Sequence, residues 1–281
     1  MKRLIVNADD FGLTPGVNRA IFELHHAGVL TSATLMAIGE SFVEAAGVAR
    51  EAKGFGVGCH VTLVDGQALV RNSPLAAGAG GQLRPTLGSF VRDLLRGRMP
   101  EAAIEAEATA QIRRLQDAGV RVTHVDTHKH THMFPGVYRP LLRAALACGV
   151  GAIRNPFEPE WSLRSTRNAG LVRRAEVRGL RALRKGFVAA TRRAGVASTE
   201  GAIGVLATGT LDAATLRRFV DEMPAGTWEL CCHPGYQDDR LKEVRTRLRQ
   251  SRETEREALL QVLPAASEIS LIHFGQLGTA E

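Results

Sequence analysis

Long apolar runs are missing from this chain of 281 residues. None approaches the roughly 18 residues that cross a bilayer, and Met1-Lys2-Arg3 leads into only three strongly apolar residues before Asn7. Neither a membrane span nor a signal peptide is expected, which places the chain in the cytoplasm. Cysteine is scarce as well. Cys59, Cys148, Cys231 and Cys232 lack paired CxxC spacing, so reduced core thiols are expected rather than a disulfide framework. Aromatic residues make up 5% of the chain, and Phe187 alone falls within the densest run of arginines, too few for a base-stacking platform, so no nucleic-acid partner is expected. What is present is ordinary for a soluble globular protein: 44% hydrophobic and 23% charged residues, enough to bury a full core.

The net charge of +7 is uneven. Arg164, Arg167, Arg173, Arg174, Arg178, Arg181, Arg184, Lys185, Arg192 and Arg193 crowd one segment in which Glu176 is the only acid. Such a segment is either a solvated helical face or a surface for an anionic partner, including peripheral contact with anionic lipid.

Short apolar runs alternate with stretches of helical period, the pattern of parallel βα units. Strands are expected near Arg3 to Asn7, Ala33 to Ala37, Gly56 to Cys59, Arg121 to Val125, Val150 to Ile153, Ala202 to Ala207, Thr227 to Cys232 and Ile269 to Ile272. Helices are expected between them, near Pro15 to Ala27, Ser41 to Lys53, Glu101 to Ala118, Pro135 to Cys148, Asp212 to Glu222 and Arg240 to Leu263. Seven or eight such units fit a distorted α/β barrel of the TIM type, formed as a single domain over residues 1–281. Gly and Pro punctuation marks an irregular insertion at about 65–100, and the basic segment occupies about 164–193.

Chemistry-bearing residues collect where the apolar runs end. Asp9 and Asp10 close the first. On an extended backbone their side chains diverge, so one carboxylate can bind a metal while the other takes a proton from water. His60 closes the third; alone it would read as a hydrogen-bonded core residue more readily than as a ligand. The segment from His124 to His132 holds four histidines and Asp126 within nine residues, and burying that many polar groups is expensive unless something uses them. His128, His130 and His132 have period two, which puts them on one face of an extended segment. His233, before Pro234-Gly235, could protonate a leaving amine. Arg154 could steady a developing negative charge or orient a carboxylate. The distribution over several strand ends favours a barrel over an open sheet with one switch point. His25, His26 and His273 have no comparable setting.

Asn7-Ala8-Asp9-Asp10-Phe11-Gly12, Gly58-Cys59-His60-Val61-Thr62-Leu63, His124 to His132 and His233-Pro234-Gly235-Tyr236, taken together and in this order, resemble the motif set of the YdjC-like carbohydrate deacetylases. That family includes chitooligosaccharide deacetylases and a branch associated with hopanoid biosynthesis. The resemblance implies a distorted βα barrel that removes an N-acetyl group from an acetylated amino sugar, free or lipid-linked, with one divalent metal ion. By position it implies Asp10, His60 and His128 as metal ligands, Asp9 as base, and His233 as general acid or substrate-orienting group. Magnesium or zinc is expected first, and cobalt or manganese suits the same ligands. A homodimer is left open. Two other readings remain: a metal-stabilised binding protein that docks on anionic lipid, and a phosphoester hydrolase on the same fold.

Overall fold

The computed structural model describes residues 1–78 and 80–277. Strand β1 (Lys2–Phe11) is buried from Leu4 onward on both faces, as a central parallel strand must be. Helix α1 (Pro15–His26) follows. Thr14 caps it by accepting from the Val17 amide at 3.3 Å, Pro15 takes the first-turn position, and Val17, Ile21 and Leu24 form its buried face. The chain then alternates through β2 (Ser32–Leu35), α2 (Phe42–Glu51) and β3 (Gly56–Val61). After an irregular stretch come α3 (Leu87–Leu95), α4 (Glu101–Asp117), β4 (Val122–Thr127) and α5 (Pro135–Ala147). The second half contains α6 (Glu160–Ser165), α7 (Leu171–Leu180), α8 (Arg184–Arg193), β5 (Ala202–Ile203), α9 (Ala213–Glu222), β6 (Gly226–Cys232), α10 (Asp239–Glu243), α11 (Gln250–Val262) and β7 (Ile269–Leu271).

All strand pairings are parallel, in the order β4-β3-β2-β1-β6-β5, with β7 against the first residues of β1. Beyond β4 the sheet continues only as single bridges, Val125 to Ile153 and Ala152 to Ala197. The stretch that starts at Ala197 reaches β5 a few residues later, and β5 pairs with β6. One irregular segment thus joins the two sheet edges, which makes a distorted barrel.

Three expected elements differ. The strand expected over Ala202 to Ala207 is cut to Ala202–Ile203, ending where Gly204 turns the chain with φ +87. Val150 to Ile153 forms bridges rather than a strand, because Gly149, with φ +73, and Pro156, which has no amide hydrogen, leave little room for a ladder. The helix expected over Arg240 to Leu263 splits into α10 and α11. No Gly or Pro marks this break, but a continuous helix would stack Arg245 one turn below Arg249, a destabilising like-charge pair. The irregular insertion is anchored instead by Glu107 of α4, a fully buried carboxylate that accepts from the amides of Leu69 (2.9 Å) and Val70 (3.0 Å). All four cysteines are buried and unpaired. No helix among the described residues is long and apolar enough to cross a membrane.

Candidate active site

The C-terminal end of β1 is bulged. Its register against β2 slips between Ala8 and Phe11, and Asp10 adopts a left-handed φ of +63°. A bulge of this kind re-aims a side chain. The two carboxylates therefore do not diverge as an extended strand would require; both face the same cleft. Asp9 stays on the face of Asn7, whose Nδ2 donates to Asp9 Oδ1 at 3.1 Å.

Asp10, His60 and His128 meet. Asp10 Oδ1 lies 3.6 Å from His60 Nε2 and 3.3 Å from His128 Nδ1, and the two ring nitrogens are 3.3 Å apart. Tetrahedral ligands at roughly 2.0–2.1 Å from a cation are about 3.3 Å from one another, so the triangle has the dimensions of a metal-binding face. Behind it, His60 Nδ1 sits 2.7 Å from Asp126, its register partner on β4. A carboxylate in that position fixes the ring and raises its basicity. Burial pushes the His60 imidazole down, but Asp126, Asp9 and Asp10 more than offset it and raise it to about 9. The cluster therefore favours positive charge at this point, and a divalent ion would supply it. Gly58 is required here too: a Cβ would fall 2.5 Å from the ring of His124, which is stacked on Phe274 beneath the site.

Arg154 is fully buried and does not line the cleft. Its Nη1 and Nη2 donate to the two oxygens of Asp9 (2.8 and 2.6 Å), Nη1 lies 2.5 Å from Asp126 Oδ2, and Nε donates to Glu229 at 2.7 Å. Of the two roles read from the sequence, this geometry suits orienting a carboxylate. Burial pushes the Asp9 carboxyl up, yet Arg154 and His60 hold it well below the usual carboxylate range. Burial lifts Glu229 to about 8 against the pull of Arg154.

Helix α11 supplies two further residues from one face. Arg252 Nη2 donates to Asp10 Oδ2 at 2.6 Å, and Glu255 accepts the His233 amide at 2.6 Å. His233 Nε2 is 3.8 Å from Asp9 Oδ2, and its Nδ1 is 3.8 Å from Glu255. Nothing in the run Ser251-Arg252-Glu253-Thr254-Glu255-Arg256 separates these two from their solvated neighbours, so sequence reasoning missed them. Glu229 was also missed, although a lone acid in the apolar strand Thr227 to Cys232 is a usable signal.

The histidines after β4 do not share one face. Residues His128–Met133 form a tight turn in which Lys129 and His130 have positive φ. His128 and His130 line the cleft, whereas His132 is buried with its Nδ1 2.7 Å from Thr127 Oγ1.

The site forms the floor of a cleft of about 1290 Å³, walled by the 85–88 loop, α7, the 205–210 loop and the 244–249 segment between α10 and α11. The basic segment thus contributes a cleft wall, and much of its charge is committed. Arg174 donates to the carbonyls of Leu163 (2.6 Å), Ala169 (3.3 Å) and Thr166, while Arg178 and Arg181 both pair with Glu160.

Buried Glu158 fixes the 205–210 wall by accepting from the amides of Gly204 (3.1 Å) and Leu206 (2.6 Å). Burial raises its carboxyl from 4.5 to about 7, against hydrogen bonds from Ser162, Leu206 and Gly204. The folded state holds this proton more tightly than the unfolded chain. The associated stability, about 3 kcal/mol, is complete below pH 4.5 and lost as pH rises through about 7. Urea titrations of Glu158→Gln across this range should show a correspondingly flatter pH dependence than wild type; an unchanged slope would place the carboxyl's pKa near 4.5.

The fold and this cluster define a class, a parallel α/β barrel with an Asp-His-His triangle at its strand ends. Within that class the chain belongs to the YdjC-like protein family, whose family model matches residues 3–263. It is 41% identical over 143 residues to a carbohydrate deacetylase of Brevibacillus brevis, covering 51% of this chain and 55% of that protein. It is 38% identical over 151 residues to a chitooligosaccharide deacetylase of an Enterobacter species, covering 53% and 58%. The chain spans about half the length of the curated relatives it matches. An Enterococcus faecalis V583 protein, provisionally described as a cellobiose-phosphate cleavage protein, has a crystal structure that aligns over 97% of both chains. Its TM-score is 0.73 at 24% identity, which establishes a shared fold.

Proposed function

We propose that this chain is a metal-dependent N-deacetylase of acetylated amino sugars. The observation that carries the reading is the triangle of Asp10, His60 and His128 at the cleft floor, with separations of 3.3 to 3.6 Å, beside Asp9 and His233. The printed names of the two curated relatives support the carbohydrate and the acetyl group.

A divalent ion, zinc or magnesium, held by those three side chains would supply Lewis acidity at the cleft floor; the two imidazoles suit zinc, and the carboxylate is the one donor of the kind magnesium favours. Asp9 is held anionic by Arg154 and is positioned to accept the proton of the attacking water. His233, tied to Glu255, is positioned to give a proton to the amide nitrogen, which must gain one before it leaves as an amine. Arg154 fixes both oxygens of Asp9 and so sets the direction in which the proton is taken. Three protein ligands leave positions open for chemistry, which favours an enzyme over a closed structural site.

The test is to load the protein with zinc or magnesium and incubate it with N-acetylated chitooligosaccharides, an N-acetylated glycolipid and phosphate esters. Acetate release supports the reading, and preference between the first two substrates decides whether a lipid carries the sugar. Phosphate release without acetate would favour a phosphoester hydrolase, and neither product would favour a binding protein.

A further inference from the structure

His130 has no role in the arrangement above, yet the chain holds it under strain. Lys129 (φ 56, ψ 26) and His130 (φ 51, ψ 34) are consecutive non-glycine residues in the left-handed region. Such strain persists only where surrounding contacts enforce it. Here Lys129 Nζ is pinned to Asp65 at 2.6 Å, and Thr127 ties the turn through the His132 amide at 3.0 Å and the Thr131 hydroxyl at 2.9 Å. The strained turn brings the His130 ring to the cleft, within electrostatic range of Asp9, His60 and His233. It lies outside the Asp10, His60 and His128 cluster. Its Nδ1 is shielded from solvent and has no hydrogen-bond partner among the described residues. Its Nε2 is not shielded in this way and has no hydrogen-bond partner among the described residues either, so a cleft-lining ring held by a costly backbone has a free nitrogen through which a ligand can be contacted.

We propose that His130 is a substrate-contacting residue whose imidazole hydrogen-bonds the sugar hydroxyl beside the acetamido-bearing carbon. The inference rests on the deacetylase reading. With the acetamide facing Asp9 and His233, the vicinal hydroxyl is the next polar group of the sugar, and the imidazole Nε2 offers it one hydrogen bond, as donor or acceptor according to the tautomer.

The experiment compares an acetylated amino sugar with its analogue lacking that hydroxyl, using metal-loaded wild type, His130→Ala and His130→Gly. In wild type the deoxy analogue should lower kcat/KM roughly 10-fold to 100-fold. His130→Ala should lose a similar factor on the parent sugar, no longer distinguish the two substrates, and retain wild-type metal content. His130→Gly should show the same kinetic defect with a melting temperature at or above that of wild type, because glycine accepts positive φ without strain. A histidine kept for stability would give the reverse, lost stability with intact discrimination, and overturns the proposal. Loss of metal from His130→Ala also overturns it, by making His130 a ligand. Absence of acetate from wild type on every sugar defeats the deacetylase reading and this inference with it, whereas acetate release with unaltered discrimination in His130→Ala defeats this inference alone.

Discussion

His128→Ala is expected to empty the metal site and abolish acetate release while the protein remains folded. His128 is the best of the three positions for this test because of what each truncation leaves behind. Removing Asp10 strands Arg252, whose fully buried guanidinium donates to it at 2.6 Å. Removing His60 takes from buried Asp126 the ring that its Oδ1 holds at 2.7 Å, leaving it Arg154 at its other oxygen. Breaking a buried charged pair in this way costs about 3–5 kcal/mol, so either variant could lose activity merely by unfolding. The His128 side chain is 19% exposed, and its polar partners among the described residues are Asp10 and His60, so its truncation should cost little stability. Loss of an outer partner of a metal ligand typically weakens metal binding by about 10-fold to 100-fold, and loss of a direct ligand should exceed that. Metal per chain by elemental analysis, melting temperature and acetate release are the three readouts. Full metal occupancy in His128→Ala would remove the assignment.

The parts of this site that the sequence disclosed share one physical property: each interrupts an apolar strand pattern with polar residues at its C-terminal end. Asp9, Asp10, His60, His128 and His233 were visible for that reason, and Arg154 because it closes the run Val150 to Ile153. What the sequence hid was direction and partnership. The period of two in His128, His130 and His132 assumed an extended backbone, but the turn at Lys129 and His130 is left-handed, and no glycine announces it. The divergence expected of Asp9 and Asp10 assumed the same, and the bulge at Asp10 cancels it. Arg252 and Glu255 come from a helix about 240 residues further along the chain than Asp10, where their spacing looks like any amphipathic surface. The break between α10 and α11 that shapes one cleft wall also lacks Gly or Pro. Local pattern identified the residue types, and only the folded backbone settled which of them meet.

Asp9→Asn is expected to keep metal and substrate binding and to lower turnover by roughly 100-fold to 10,000-fold, the range for positioned acid-base catalysis. The substitution preserves shape but removes the proton-accepting charge next to His233, whose Nε2 is 3.8 Å away. The main risk is structural, because Asp9 is a bidentate partner of buried Arg154 at 2.6 and 2.8 Å. Arg154 nevertheless keeps Asp126 at 2.5 Å and Glu229 at 2.7 Å. Burial holds Glu229 up near 8, so this carboxyl can give up its proton and supply a negative charge when Asp9 loses its own. The guanidinium should therefore stay paired and the variant should fold. A melting temperature close to wild type together with full metal content would show that the network survived, and the turnover then reports on Asp9 alone. Near-normal turnover under those conditions would mean that another group takes the proton, and His233 is the one within reach.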